Sequence, residues 1–260
     1  MHSIQDEVVR ADGLTLSDVL PVWKQLGKQF VDLLRRVDPS QSDAPVPTMT
    51  WTVGETAAHM LNIARRGLGD RRRADTLEGL AELNDQCIAE TTERDLPVLA
   101  SLLETDLETA GAVLSAWTDD DATAKEFPLH VGVRADIPTA LSYAMFDFIG
   151  HGFDIGRATG TEWAIAPRDA GITLHAILPA LGPWIKEDAR SGSRQSVNIS
   201  FVPDVALGLS VGQGTWRVES IERSEASLHV DPVELFLGIA GRQEPLDAEV
   251  GRIAAWFAPI

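Results

Sequence analysis

Residues 136–160, DIPTALSYAMFDFIGHGFDIGRATG, read as one amphipathic helix. Asp136 is a good N-cap, and Pro138 suits the first turn, where the missing backbone N–H would have no partner anyway. Leu141, Ala144, Met145, Phe148, Gly152 and Ile155 then recur at helical spacing as an apolar stripe. Tyr143, Asp147, His151 and Asp154 run along one edge of it. The four-residue step from Asp147 to His151 puts both side chains on one face, a turn apart. Such a pair at the mouth of a bundle core can supply metal ligands. It can equally form a helical Asp–His hydrogen bond worth roughly a few tenths of a kcal/mol, and spacing alone does not separate the two.

The upstream chain supplies the rest of a bundle. Leu16 to Val37 carries an apolar stripe through Val19, Leu20, Trp23, Leu26, Phe30, Leu33 and Leu34, opened by the capping-box pattern Thr15-x-x-Asp18. The three prolines in residues 38–50 mark a connection. A second capping box, Thr52-x-x-Glu55, opens a helix with Val53, Ala57, Met60, Leu61, Ala64 and Leu68 on its apolar face and His59 and Ile63 at one edge. Leu77 to Glu90 and Asp95 to Trp117 read as one long helix or two shorter ones, Thr118 to Asp121 as an acidic turn, and Lys125 to Arg134 as a short hairpin excursion. His59, Asp147 and His151 would together make three ligands, the number that leaves a zinc ion one open position.

Beyond residue 160 the pattern changes. Gly171 to Lys186 reads as a further helix, and Ser196–Val202, Leu207–Val211, Thr215–Ser220 and Ala226–Val230 as short strands separated by Gly, Pro, Asp or Ser. Pro232 to Arg242 and Ala248 to Phe257 return to helix. The expected fold is α+β: a helical bundle over 1–165 and a smaller α+β domain over 166–260, with an antiparallel sheet covered by helices.

Composition excludes several functions. A formal charge of -17 disfavours nucleic acid and anionic membrane surfaces as partners, since Lys and Arg carry phosphate affinity. No apolar run reaches the roughly 20 residues that span a bilayer, and the amino terminus lacks a signal peptide's apolar region, so a cytoplasmic location is expected. The single cysteine, Cys87, rules out an internal disulfide and a Cys-rich zinc site. Thiol chemistry here would need an incoming thiol.

The run Trp51-Thr-Val-Gly-Glu-Thr-Ala-Ala-His59-Met resembles the "W-T-V-x-x-x-x-x-H-L" element of the mycothiol-dependent maleylpyruvate isomerase family, related to the DinB-like bundle proteins. Asp147-Phe-Ile-Gly-His151-Gly-Phe-Asp154-Ile-Gly-Arg-Ala-Thr-Gly160 resembles its "E-x-x-x-H-x-x-D-x-x-x-A-x-G" element, with Asp147 where the family has Glu. The run from His229 to Arg242 is similar to its strand followed by "D-L-L-L-x-L-x-G-R", in a domain resembling sterol-carrier-protein-like modules. The resemblance implies a divalent metal, zinc, held by His59, Asp147 and His151, with mycothiol as the low-molecular-weight thiol cosubstrate. It implies a small electrophilic substrate and a catalytic role for Arg242. A thiolate would add to an activated cis double bond, and rotation and elimination would give the trans product; a thiol S-transferase would keep the adduct. The shorter Asp147 requires closer helices or a differently held metal. The alternatives are a noncatalytic small-molecule or lipid-binding protein, or a regulatory interaction protein on the same fold.

Of the other polar residues, Asp154 can orient His151 or face solvent. Arg65, Arg66, Arg71, Arg72 and Arg73 form a basic cluster, read as a solvated helix face or as a contact for the carboxylate of a thiol cofactor. His130, His175 and His229 have no partner at ligand spacing and are read as structural.

Overall fold

The structure, a computed structural model, describes residues 8–201 and 205–258. Residues 1–7 and Val202, expected at a strand end, lie outside them. The chain forms two compact units: Thr15–Ala164 is the body of the first, and Ile165–Ile260 that of the second, which also takes in Val9–Leu14. That short segment departs from the expected 1–165 and 166–260 division. It is tied to the second unit by its Asp12 carbonyl, which lies 2.9 Å from His175 Nε2 and accepts from Ser220 Oγ at 3.0 Å.

In the first unit, α1 (Leu16–Arg36), α2 (Val53–Gly67), α4 (Leu96–Leu114) and α6 (Ile137–Thr159) make the bundle, with α1 and α2 each packed against both α4 and α6. Both expected capping boxes are present, Thr15 with Asp18 and Thr52 with Glu55. The core holds Phe30, Leu33 and Leu34 of α1, Met60 and Leu61 of α2, Leu99 and Leu103 of α4, and Met145 and Phe148 of α6, all essentially fully buried. Each such side chain contributes about 1.5–3 kcal/mol of burial. Phe30 and Phe148 meet with ring centroids 5.7 Å apart.

After α6 the chain turns at Gly160, whose φ of 72° is the left-handed conformation glycine tolerates. Trp163 then folds back onto α6. A Cβ at Gly152 would lie 2.3 Å from the Trp163 ring, so position 152 has no room for a side chain.

α3 (Leu77–Glu90) packs on α2 and is separate from α4, so the region expected as one or two helices is two. The expected acidic turn is a helix, α5 (Asp119–Ala124), because Thr118 and Asp121 form a further capping box. β1 (Val8–Val9), β2 (Phe127–Pro128) and β3 (Arg134–Ala135) form a small sheet in the order β1-β3-β2, with Phe127 opposite Ala135.

In the second unit, the expected helix over Gly171 to Lys186 is instead α7 (Pro167–Ile177), a 3-10 segment (Leu178–Trp184) and α8 (Glu187–Ser191). Pro179 and Pro183 explain the break, since each removes a backbone donor. The sheet runs β6-β5-β4-β7, built from β4 (Gln195–Phe201), β5 (Val205–Gly212), β6 (Thr215–Ser220) and β7 (Leu228–His229). β4, β5 and β6 are antiparallel as expected. β7 corrects the all-antiparallel reading. The chain crosses from one edge strand to the other after β6, so β7 lies parallel to β4, with Ile199 opposite Leu228. α9 (Pro232–Ile239) packs on α7, and α10 (Ala248–Ala254) on α9.

Candidate metal centre

Two neighbouring helices bring the site together. The Thr52–Glu55 capping box fixes the start of α2, and His59 follows in its second turn. Asp147 and His151 lie a turn apart in the middle of α6, which packs directly on α2. One ligand atom from each of His59, Asp147 and His151 lies within 4.8 Å of the other two, an arrangement that can hold a metal ion. The imidazole centroids of His59 and His151 are 5.1 Å apart and nearly perpendicular. Both histidines are buried, at 3% and 6% exposure, and Asp147 is half-buried. The shorter Asp147 side chain therefore reaches the cluster.

The hydrogen bonds around the cluster favour ligation. The Asp154 carboxylate can only accept, so its 3.3 Å contact with His151 Nδ1 puts a proton on Nδ1 and leaves the Nε2 lone pair available. Asp154 is fully buried and also accepts from Thr48 Oγ1 at 2.7 Å. It is an outer partner of the kind that orients metal-binding imidazoles, and the solvent-facing alternative does not apply. His59 Nδ1 is buried without a hydrogen-bond partner among the described residues. Burial holds the His59 imidazole well below its ordinary range, helped by His151, Arg66 and His130, so at neutral pH it keeps a lone pair for a cation. Two imidazoles and a carboxylate are a donor set that suits a divalent metal ion.

Trp51 closes one side. Its ring centroid lies 4.9 Å from that of His59 and 6.2 Å from that of His151, and its Nε1 donates to Asp85 on α3 at 2.9 Å. Tyr143, a turn before Asp147, has its phenol pushed above the ordinary range by burial and then by Asp147. It stays protonated.

A family model for the mycothiol maleylpyruvate isomerase N-terminal domain matches residues 23–156, just over half the chain and all three cluster residues. The chain belongs to that family. A crystal structure of the mycothiol-dependent maleylpyruvate isomerase aligns with TM-score 0.52 and 16% identity over 91% of this chain and 93% of that one. A crystal structure of a histidine-to-alanine mutant of the mycothiol-dependent maleylpyruvate isomerase aligns with the same TM-score and coverage at 15% identity. These likenesses establish a shared fold. No curated protein matches the chain.

The remaining candidates of this maleylpyruvate isomerase family member fall elsewhere. Arg242 belongs to the second unit, just beyond α9, where its Nη1 donates to the Ala240 carbonyl at 2.5 Å. The basic cluster divides by position. Arg65 pairs with Asp106 at 3.4 Å, and Arg72 pairs with both Asp70 and Glu90, a contact that holds the Asp70 carboxyl down to about 2. Arg73 donates to the carbonyls of Pro128 and Asp70. Arg66 is buried at 7% exposure. His130, read as structural, lies against it. Cys87 is buried, His175 is buried beside the Asp12 carbonyl, and His229 Nδ1 lies 3.3 Å from Ser200 Oγ. No helix of the described residues is long and apolar enough to cross a membrane.

Proposed function

We propose that this protein is a metal-dependent, mycothiol-linked enzyme that adds a thiolate to a small electrophile, as a maleylpyruvate isomerase-like cis–trans isomerase or a thiol S-transferase. The convergence of His59, Asp147 and His151, in a member of this family, carries the reading. A divalent ion held by these residues, zinc by its preference for such donors, would supply a Lewis-acidic position that keeps an incoming thiol as thiolate near neutral pH. The protein's own groups prepare that position. Asp154 fixes the His151 tautomer, Thr48 fixes Asp154, and the Trp51 ring keeps water from one side of His59. Cys87, at 1% exposure, is too deeply buried to act as the nucleophile, which fits a thiol brought in from solution.

Both reactions share a first step. The sulfur bonds to one alkene carbon, and the displaced π pair moves onto the conjugated carbonyl. In an isomerase the adduct rotates, the pair returns, and the thiolate leaves; in a transferase the carbanion takes a proton and the C–S bond stays. Arg242 is assigned to the developing enolate, whose charge a guanidinium stabilises.

Activity toward cis-enoate electrophiles with mycothiol, before and after chelation, tests the proposal. Loss on chelation and recovery with zinc are expected, together with an Arg242→Lys variant that binds zinc normally but turns over slowly. Turnover indifferent to chelation would refute it.

A further inference from the structure

α2 carries more polar surface in its buried face than the metal cluster uses. Positions 59, 62 and 66 fall within roughly 60° of helical arc, so His59, Asn62 and Arg66 form one stripe. All are more than nine-tenths buried, at 3%, 4% and 7% exposure. Each keeps an atom with no hydrogen-bond partner among the described residues: His59 Nδ1, Asn62 Nδ2 and Arg66 Nε. Buried polar groups are almost always paired, and a buried guanidinium usually meets a carboxylate.

Among the described residues Arg66 meets none. Its Nη2 donates to Asn84 Oδ1 at 2.8 Å, and its Nη1 lies 3.2 Å from His130 Nε2. The nearby acids are committed elsewhere, Asp106 to Arg65, and Asp70 and Glu90 to Arg72.

His130 sharpens the imbalance. The Ala74 N–H points at its Nδ1 from 3.1 Å while Arg66 points at its Nε2. A neutral imidazole has one lone-pair nitrogen, so in either tautomer an N–H faces another N–H. Burial, and then Arg66 and Arg73, lower the ring to about 4, which excludes a charged His130 at neutral pH but removes neither clash. The ring is held in place by a turn in which Val131 adopts φ 54°, a conformation rare for a β-branched residue, with its N–H bonded to the Ala74 carbonyl at 2.6 Å. The unpartnered atoms of Arg66 and Asn62, Nε and Nδ2, are both donors, and an acceptor-only anion satisfies both.

We propose that Arg66, with Asn62 and His130, forms a carboxylate-binding subsite about two helical turns from His59, which holds the carboxylate of the small electrophile. Arg66 and His130 are close enough to His59 that both lower its imidazole. A carboxylate fits because both its oxygens accept, and a guanidinium offers it two parallel N–H groups. Which carboxylate arrives rests on the thiol-addition reading; the anion site itself does not.

Maleate titrated calorimetrically into the full-length protein, both metal-free and zinc-loaded, tests the subsite. Maleate should bind the metal-free protein, and Arg66→Met should weaken it about 10- to 100-fold, the worth of a hydrogen bond to a charged group. Zinc affinity should not fall in that variant. Its melting temperature without ligand should hold or rise, since a buried unpaired charge has been removed. Asn62→Asp is the second variant: it gives Arg66 an internal carboxylate and should abolish maleate binding while raising the melting temperature. The subsite is refuted if metal-free protein ignores maleate, or if both variants melt earlier and bind maleate as before. Zinc binding without maleate binding removes the subsite alone; maleate binding without zinc binding removes the metal centre alone.

Discussion

At one end of a stripe on α2, His59 meets Asp147 and His151, and lone pairs converge; two turns on, Arg66 meets His130 and Asn84, and N–H groups converge. Both ends are buried, and both keep a polar atom without a partner among the described residues. They differ in sign. The first suits a cation and the second an anion. Burial gives the difference its force, because in a low-dielectric interior an unpaired lone pair or N–H carries a desolvation cost that water would otherwise cancel. One helix face can therefore present two complementary sites to a single small molecule and its metal.

The largest expected effect tests the cation end. His151→Ala removes a ligand and should lower zinc affinity by more than the 10–100-fold typical of outer partners, measured by competition with a chromophoric chelator. Asp154→Asn keeps the ligand but weakens its orientation, and should cost about 10–100-fold in the same titration. Equal effects would mean that Asp154 is itself a ligand.

Next comes the pH response at the anion end. His130 is lowered from its ordinary value of 6.5 to about 4 by burial, Arg66 and Arg73, against an opposing pull from Asp70. His59 is lowered too, by burial, His151, Arg66 and His130. Between the folded value of about 4 at His130 and 6.5 the unfolded chain binds more protons, and the lowered His59 acts in the same direction. Stability is therefore full above about 6.5 and is lost as pH falls toward about 4. Urea midpoints of chelated protein at pH 7.5 and 5 should show the decline, and His130→Gln should flatten it. An unchanged slope would mean that His130 is solvated.

The smallest effect contrasts neighbours. Arg65 is exposed and its ion pair with Asp106 is long, so Arg65→Ala should change stability by less than about 1 kcal/mol and leave maleate affinity unaltered. A large effect would show that the whole basic cluster acts together.

The metal-site candidates were legible because their geometry is largely local. Capping boxes at Thr15 and Thr52 set the helix starts, and the apolar stripes oriented them, so His59, Asp147 and His151 followed from spacing and flanking motif. The subsite was not. Arg66 sits among arginines that read as a solvated face, and its burial depends on Asn84 and on His130, which is 64 positions away. A sequence signal did exist: Arg66 falls on the His59 face. α5 was hidden because Thr118 to Asp121 is so acidic that its capping box read as a turn. β7's parallel partner is set by a crossover that no local pattern encodes.

Metal stoichiometry in the purified protein, with reconstitution by zinc and titration of Asp147→Ala alongside, tests the central claim most directly. One divalent ion per chain in the wild type, and a folded Asp147→Ala protein that binds it far more weakly, is the expected result. A wild type that takes up no divalent ion, or an Asp147→Ala variant that binds it equally well, would contradict the account.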